Sequence, residues 1–101
     1  MNLKQLLDVL HESTELSTAD ELKYACDLII RVQAMDAGER DVIRSTYRHG
    51  PLGDGDVPSK RARDTLLDDG FVSKVVVRGE EGYNACTYKG ARAYRLLEVG
   101  A

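Results

Sequence analysis

Apolar residues recur at helical spacing in the first third of the chain. Four leucines lie at positions i, i+3, i+4 and i+7, which places them on one face of a helix that we expect to end near Glu12. These residues are Leu3, Leu6, Leu7 and Leu10. A second helix is predicted to begin at Ser17, whose side-chain oxygen can accept a hydrogen bond from the first turn, and to run to about Ala34.

The second predicted helix is apolar around most of its circumference. Eight of the eleven residues from 22 to 32 are apolar, which is wider than the stripe that one core-facing side needs. We therefore expect this helix to be covered on two sides, either wholly within the monomer or partly by a second copy of the chain. Residues 1–36 are accordingly a candidate homodimer surface.

Two further helices are predicted, separated by a connector rich in turn residues. Asp36 and Glu39 have the spacing of a capping box and open a helix over residues 37–48. Residues 50–58 contain three glycines, two prolines and two aspartates and predict turns with no regular helix. A helix over residues 59–69 then begins at Ser59 and stops before Gly70.

After residue 70 the pattern changes to that of a β-hairpin. Residues 71–77 are rich in β-branched side chains and residues 83–88 alternate, which predicts two strands. The loop between them is placed at residues 78–82, with Glu80 and Glu81 at its tip. A closing helix over residues 89–99, with Thr87 as its cap, completes an α+β chain.

Length and composition exclude several classes of protein. A chain of 101 residues makes one domain, and its two cysteines lie alone in apolar stretches, which excludes disulfide and zinc scaffolds. No apolar run approaches the roughly 18 residues that cross a bilayer, so a cytoplasmic protein without membrane contact is expected. The histidines are far apart in sequence and no phosphate-binding loop is present, so neither an enzyme nor a cofactor is expected.

The net charge of −3 conceals a difference between the two parts of the chain. Residues 1–38 hold seven acidic and three basic residues, whereas residues 39–101 hold ten acidic and eleven basic residues. A polyanion is therefore expected to meet the second part. Within it, Arg40, Arg44 and Arg48 form a stripe whose first two members we expect to pair with Asp36 and Asp41 at the surface.

Three sequence runs carry a resemblance to a known superfamily. They are Arg40-Asp-Val-Ile-Arg-Ser-Thr-Tyr, Pro58-Ser-Lys-Arg-Ala-Arg-Asp-Thr-Leu-Leu-Asp-Asp-Gly-Phe-Val and Tyr88-Lys-Gly-Ala-Arg-Ala-Tyr-Arg-Leu-Leu. Together they resemble the winged helix-turn-helix regulators of the MarR and PadR kind, and the wording around Pro58 also resembles small bacteriophage and prophage proteins. The resemblance implies a three-helix core with a two-stranded wing over residues 37–101, preceded by a helical extension over residues 1–36 and followed by a C-terminal helix.

The resemblance also implies which residues would meet DNA. The helix over residues 59–69 would be the recognition helix, with Lys60, Arg61 and Arg63 as contacts and Ser59 holding a phosphate. Lys74 and Arg78 flank the wing and complete the candidate set. A solvated helix face, with these cations paired to Asp64 and Asp68, is the structural alternative.

Two functions follow from this interpretation. The first is a small regulator that binds double-stranded DNA. The second is a winged-helix protein-interaction module, for instance a phage-encoded factor that binds a host or phage protein through the acidic N-terminal helices or through the wing. An acidic wing tip at Glu80 and Glu81 would be repelled by phosphates and could meet a basic protein instead.

Overall fold

The computed structural model of the chain describes residues 1–12 and 15–101 and confirms the α+β class. The helices of this part are α1 (Leu3–His11), α2 (Ala19–Gln33), α3 (Ala37–His49), α4 (Lys60–Asp68) and α5 (Tyr88–Glu98). Its strands are β1 (Leu52–Gly53), β2 (Val72–Val77) and β3 (Glu80–Cys86), which form an antiparallel sheet in the order β1, β3, β2. Within these residues no helix is both long and apolar enough to span a membrane.

The helix starts follow the capping residues of the sequence. The Asp36 carboxylate accepts from the Glu39 N–H at 2.9 Å while the Glu39 side chain accepts from the Asp36 N–H, which confirms the predicted capping box of α3. Thr87 caps α5 as predicted. The prediction for α2 was wrong by one residue, because the Thr18 hydroxyl rather than that of Ser17 accepts from the first turn, at 3.1 Å from the Glu21 nitrogen.

One hydrophobic core joins the N-terminal helices to the remainder of the described chain. Leu6 and Leu10 of α1 and the buried face of α2 pack in the same cluster as α5, α3 and the start of β2. The fully buried residues of that cluster include Ile29, Ile43, Leu66, Phe71 and Leu96. Residues 1–12 and 15–36 are therefore an integral layer of the fold.

The broad apolar surface of α2 divides into two parts. Ala25, Leu28, Ile29 and Val32 are buried within the monomer, so one part is covered by the chain itself. Leu22 and Ile30 lie outside that face, and Ile30 is 62% exposed. The monomer thus covers one side of α2 and leaves a second apolar side at the surface.

The hairpin turn is shorter than the predicted loop and occupies only the first two of its five residues. Arg78 and Gly79 form the turn, and both have positive φ, 52° and 80°, as a two-residue hairpin loop of type I′ requires. Glu80 and Glu81 are consequently the first residues of β3, so the predicted acidic tip was wrong. The hairpin contains one more residue than regular strand pairing needs, and a β-bulge opposite Val76 accommodates it.

The connector after α3 contains a strand that the sequence analysis missed. It has no helix between residues 50 and 59, as predicted, but Leu52 and Gly53 pair with Asn84 and Tyr83 of β3. Glycine and proline around this short segment produce a turn pattern, and a two-residue strand is defined only by its partner. The strand brings the connector, and Asp54 with it, onto the hairpin.

A close helix-to-strand approach fixes the start of α5. A Cβ atom at Gly90 would overlap the Phe71 carbonyl oxygen and would lie 2.6 Å from the Cys86 Sγ. Only glycine permits this approach. The N-terminal turn of α5 is therefore held directly against the ends of β2 and β3.

Candidate nucleic-acid interface

The start of α4 presents the first group of candidate DNA contacts. Ser59 is the N-cap of α4, and its Oγ accepts from the Ala62 N–H at 3.2 Å. Lys60 follows at the surface and has no hydrogen-bond or ion-pair partner among residues 1–12 and 15–101. Ala62 and Leu66 are buried beneath it, so α4 presents its polar side to solvent as predicted.

Arg61 extends from the same turn toward α3. Its side chain is 69% exposed, and its Nη2 lies 2.7 Å from the Asp36 carboxylate. The Glu39 N–H and the Arg61 guanidinium together hold the pKa of Asp36 below its usual value. The N-termini of α3 and α4 are therefore linked by an exposed ion pair that solvent or a competing anion can reach.

Arg63 has a different environment. Its side chain is only 11% exposed and donates to Asp54 and Asp64, each at 2.8 Å. Asp54 also accepts from Lys74 of β2, so the two predicted DNA contacts share one carboxylate. A contact of either side chain with DNA would require it to leave Asp54.

We call Asp54, Arg63, Lys74 and Asn84 the Asp54 cluster. The fully buried Asn84 donates from Nδ2 to the Asp54 carboxylate at 2.9 Å and to the Leu52 carbonyl at 3.1 Å. Hydrogen bonds from Lys74 and Asn84, with the charges of Lys74 and Arg63, lower the pKa of Asp54. The cluster thus joins the connector, α4 and both strands of the hairpin through one ionised carboxylate.

Arg78 is the remaining candidate and lies at the hairpin tip. It is the first residue of the turn, is exposed, and has no partner among the described residues. Lys74 and Arg78 are four residues apart, which corresponds to about 13 Å along a strand. The Asp54 cluster therefore anchors the base of the hairpin, while its tip projects a cation.

The arginines of α3 have other partners than the sequence indicated. Arg40 donates to the carbonyls of Met35 and Gln33 at the end of α2, so the predicted pair of Arg40 with Asp36 was wrong. Asp36 is instead engaged by Arg61. The predicted pair of Asp41 and Arg44 is present as a long contact of 3.9 Å.

The C-terminal end of α4 is fixed by an arginine of α2. Arg31 donates to Asp69 at 2.9 and 3.0 Å and also to the largely buried Glu39 of α3. Together with the Asp54 cluster, this junction orients α4 at both ends. Periodicity detects neither junction, because Asp54 and Arg31 are joined to residues 8 to 38 positions away.

No protein-family model, curated protein or solved structure matches this chain.

Proposed function

We propose that the protein is a small cytoplasmic DNA-binding transcriptional regulator with a winged-helix arrangement, in which α4 is the recognition helix and the β2–β3 hairpin is the wing. The observation that carries the proposal is the position of two exposed cations without carboxylate partners in the described chain, Lys60 at the start of α4 and Arg78 at the hairpin tip. These are the two places from which a helix and a wing would reach neighbouring parts of a duplex.

The chemistry of these cations suits phosphate and base-edge contacts. Lys60 can neutralise a phosphate, and Arg61 can exchange the exposed Asp36 carboxylate for a phosphate or pair with a guanine edge. Ser59 lies at the positive end of the α4 dipole, where backbone amides favour an anion. The hairpin turn presents the Arg78 guanidinium where acidic side chains were expected. Arg78 therefore supports contact between the wing and DNA phosphates.

Arg63 and Lys74 have a positioning role in this proposal. Both bind Asp54, so they set the distance and angle between the recognition helix and the wing. Their buried or shared hydrogen bonds stabilise that arrangement without presenting a free charge to DNA.

Fluorescence anisotropy with a mixed-sequence duplex at several salt concentrations tests the proposal. The test variant carries Lys60→Ala and Arg61→Ala, and the control variant carries Lys4→Ala and Lys23→Ala on the acidic N-terminal helices, which removes the same charge elsewhere. The wild type and the control are expected to bind with affinity that falls steeply with salt, because binding releases counterions from the duplex. The test variant is expected to lose most of that binding.

Two results would contradict the proposal. One is the absence of duplex binding at low salt by the wild type. The other is an equal loss in the test and control variants, which would show that net charge alone governs the interaction.

A homodimer through residues 1–36 belongs to the same proposal, since dimeric regulators place two recognition helices in successive turns of the duplex. Leu22, Cys26 and Ile30 recur at i, i+4 and i+8 on α2, and Leu22 and Ile30 are exposed. Sedimentation of the wild type and of Ile30→Glu tests it, with a dimer expected only for the wild type. A monomeric wild type would contradict it.

A further inference from the structure

The exposed side of α4 changes the sign of its charge after the first turn. Lys60 and Arg61 are exposed in that turn. Asp64 and Asp68 follow them at spacings of three to four residues, which places them on the same side of the helix, and both are exposed. The proposed recognition helix therefore presents two cations and then two carboxylates to a duplex.

The carboxylates on this side of α4 are not neutralised along the helix. Lys60 and Asp64 have the i, i+4 spacing of an ion pair, yet the part of the chain that the structure describes contains no contact between them. The Asp68 side chain has no partner within residues 1–12 and 15–101. Phosphates repel such groups, so a carboxylate that enters a DNA groove is stabilised only where the duplex offers a hydrogen-bond donor.

Asp64 is held in a fixed orientation. Its Oδ1 accepts from the Nε of the nearly buried Arg63 at 2.8 Å, and Arg63 is itself bound to Asp54 of the connector. The Asp64 side chain is 68% exposed, and its Oδ2 has no partner among the described residues. Asp64 therefore presents one oriented acceptor to solvent from the second turn of α4.

The major groove offers few partners for an oriented acceptor. Its hydrogen-bond donors are the amino groups at N4 of cytosine and N6 of adenine, and adenine places the acceptor N7 beside its amino group. Cytosine presents its amino group without that acceptor, so a carboxylate favours cytosine. Arg61, on the preceding turn, has the donors that match O6 and N7 of guanine.

We propose that Asp64 determines sequence specificity by accepting a hydrogen bond from N4 of a cytosine, while Arg61 pairs with a guanine of the neighbouring base pair. Three helical residues span about 4.5 Å along the axis and successive base pairs are about 3.4 Å apart, so the two side chains meet neighbouring pairs. This role rests on the proposed DNA binding by α4 and specifies two adjacent G·C pairs as the bases that the helix reads.

Selection from a pool of random duplexes tests the role of Asp64 with the full chain. The wild type is expected to enrich sites with two adjacent G·C pairs. In Asp64→Asn the amide oxygen still accepts from Arg63, so the side chain presents an N–H donor to the groove. Thymine has the acceptor O4 where cytosine has N4, so this variant is expected to select thymine instead of cytosine and to keep the guanine.

Asp68→Asn is the matched control, because it removes the same charge one turn later on a side chain that no arginine of the described chain holds. It is expected to select the same site as the wild type. Anisotropy on the selected duplex gives the size of the effect. Replacing the cytosine with thymine is expected to weaken wild-type binding about tenfold and to strengthen binding of Asp64→Asn.

Three outcomes would overturn this role while duplex binding persists. The first is a wild type that binds duplexes but enriches no site containing the cytosine. The second is selection of the same site by Asp64→Asn and the wild type. The third is an equal change of site in Asp64→Asn and Asp68→Asn, which would assign the effect to net charge. Absence of all duplex binding at low salt would overturn the DNA proposal as well, so the two failures are distinguishable.

Discussion

Lys60 and Arg61 at the start of α4 and Arg63 of the Asp54 cluster are basic residues only a few positions apart, yet their environments are opposite. Lys60 and Arg61 are exposed, and among the residues that the structure describes only Arg61 of these two has a carboxylate partner, at the surface. Arg63 is nearly buried and is held by two carboxylates. The difference arises because the connector places Asp54 beside the second turn of α4 and leaves the first turn open.

The charges along α4 show the same difference. The basic residues Lys60, Arg61 and Arg63 precede Asp64 and Asp68 on the same helix, yet of these three described residues only Arg63 pairs with Asp64. The number of basic residues in a segment is therefore a poor guide to its surface charge. The positions of carboxylates in space determine which cations remain available.

The largest expected effect is on stability, from Arg63→Ala. This substitution leaves Asp54 and Asp64 without a shared donor and opens space beneath α4, so we expect the free energy of unfolding to fall by about 1–3 kcal/mol. Urea denaturation measures it. Lys60→Ala is the matched control and is expected to change stability by no more than about 0.5 kcal/mol. Equal losses of stability in Arg63→Ala and Lys60→Ala would contradict the difference between the Asp54 cluster and the start of α4.

The pH dependence of stability isolates the charge of Asp54. Because hydrogen bonds with Lys74 and Asn84 lower its pKa in the folded state, its stabilising contribution is fully present above the usual aspartate pKa of about 3.9 and is lost as the pH falls through the lowered value. Asp54→Asn is thus expected to unfold at lower temperature than the wild type at pH 7, with a smaller difference in acid. Asp56→Asn, at an exposed neighbouring position, changes the net charge equally and is the control. A difference that is constant with pH would contradict this role for the Asp54 charge.

Asp36→Asn tests whether Arg61 at the start of α4 is available to DNA. Asparagine is as good an N-cap as aspartate, so α3 keeps its cap while Arg61 loses its ion-pair partner. We expect tighter duplex binding and a salt dependence steeper by about one unit of slope, which anisotropy measures. Asp41→Asn changes the net charge equally on the body of α3. An equal gain in both variants would contradict a specific release of Arg61.

The smallest expected effect comes from Arg78→Asn at the hairpin tip. Asparagine adopts positive φ more readily than arginine, so the hairpin is expected to gain up to about 1 kcal/mol of stability. The same change removes a predicted phosphate contact and is expected to reduce the salt slope of duplex binding by about one. Thermal denaturation measures the expected gain in stability, and anisotropy measures the expected decrease in the salt slope. Unchanged duplex binding would remove the wing from the proposed interface.

Local sequence signals located most of the secondary structure because their causes are local. The capping box at Asp36, the cap at Thr87 and the stop at Gly70, whose φ is 80°, each depend on residues within a few positions. The hairpin turn was misplaced because the signal was weighted toward the glycines on either side of Glu80 and Glu81, whereas the two-residue turn depends on Arg78 accepting a left-handed conformation. β1 was missed because its two residues become a strand only by pairing with β3.

Periodicity, caps and charge are properties of neighbouring residues, so they were enough to predict the five helices, the two-stranded hairpin and the acidic first part of the chain. Which basic side chains are engaged depends on contacts between segments that are distant in the chain. Asp54 reaches Arg63 and Lys74, and Asp36 reaches Arg61, across separations of 9 to 25 residues. The same holds for β1, because its two residues become a strand only through pairing with Asn84 and Tyr83 of β3.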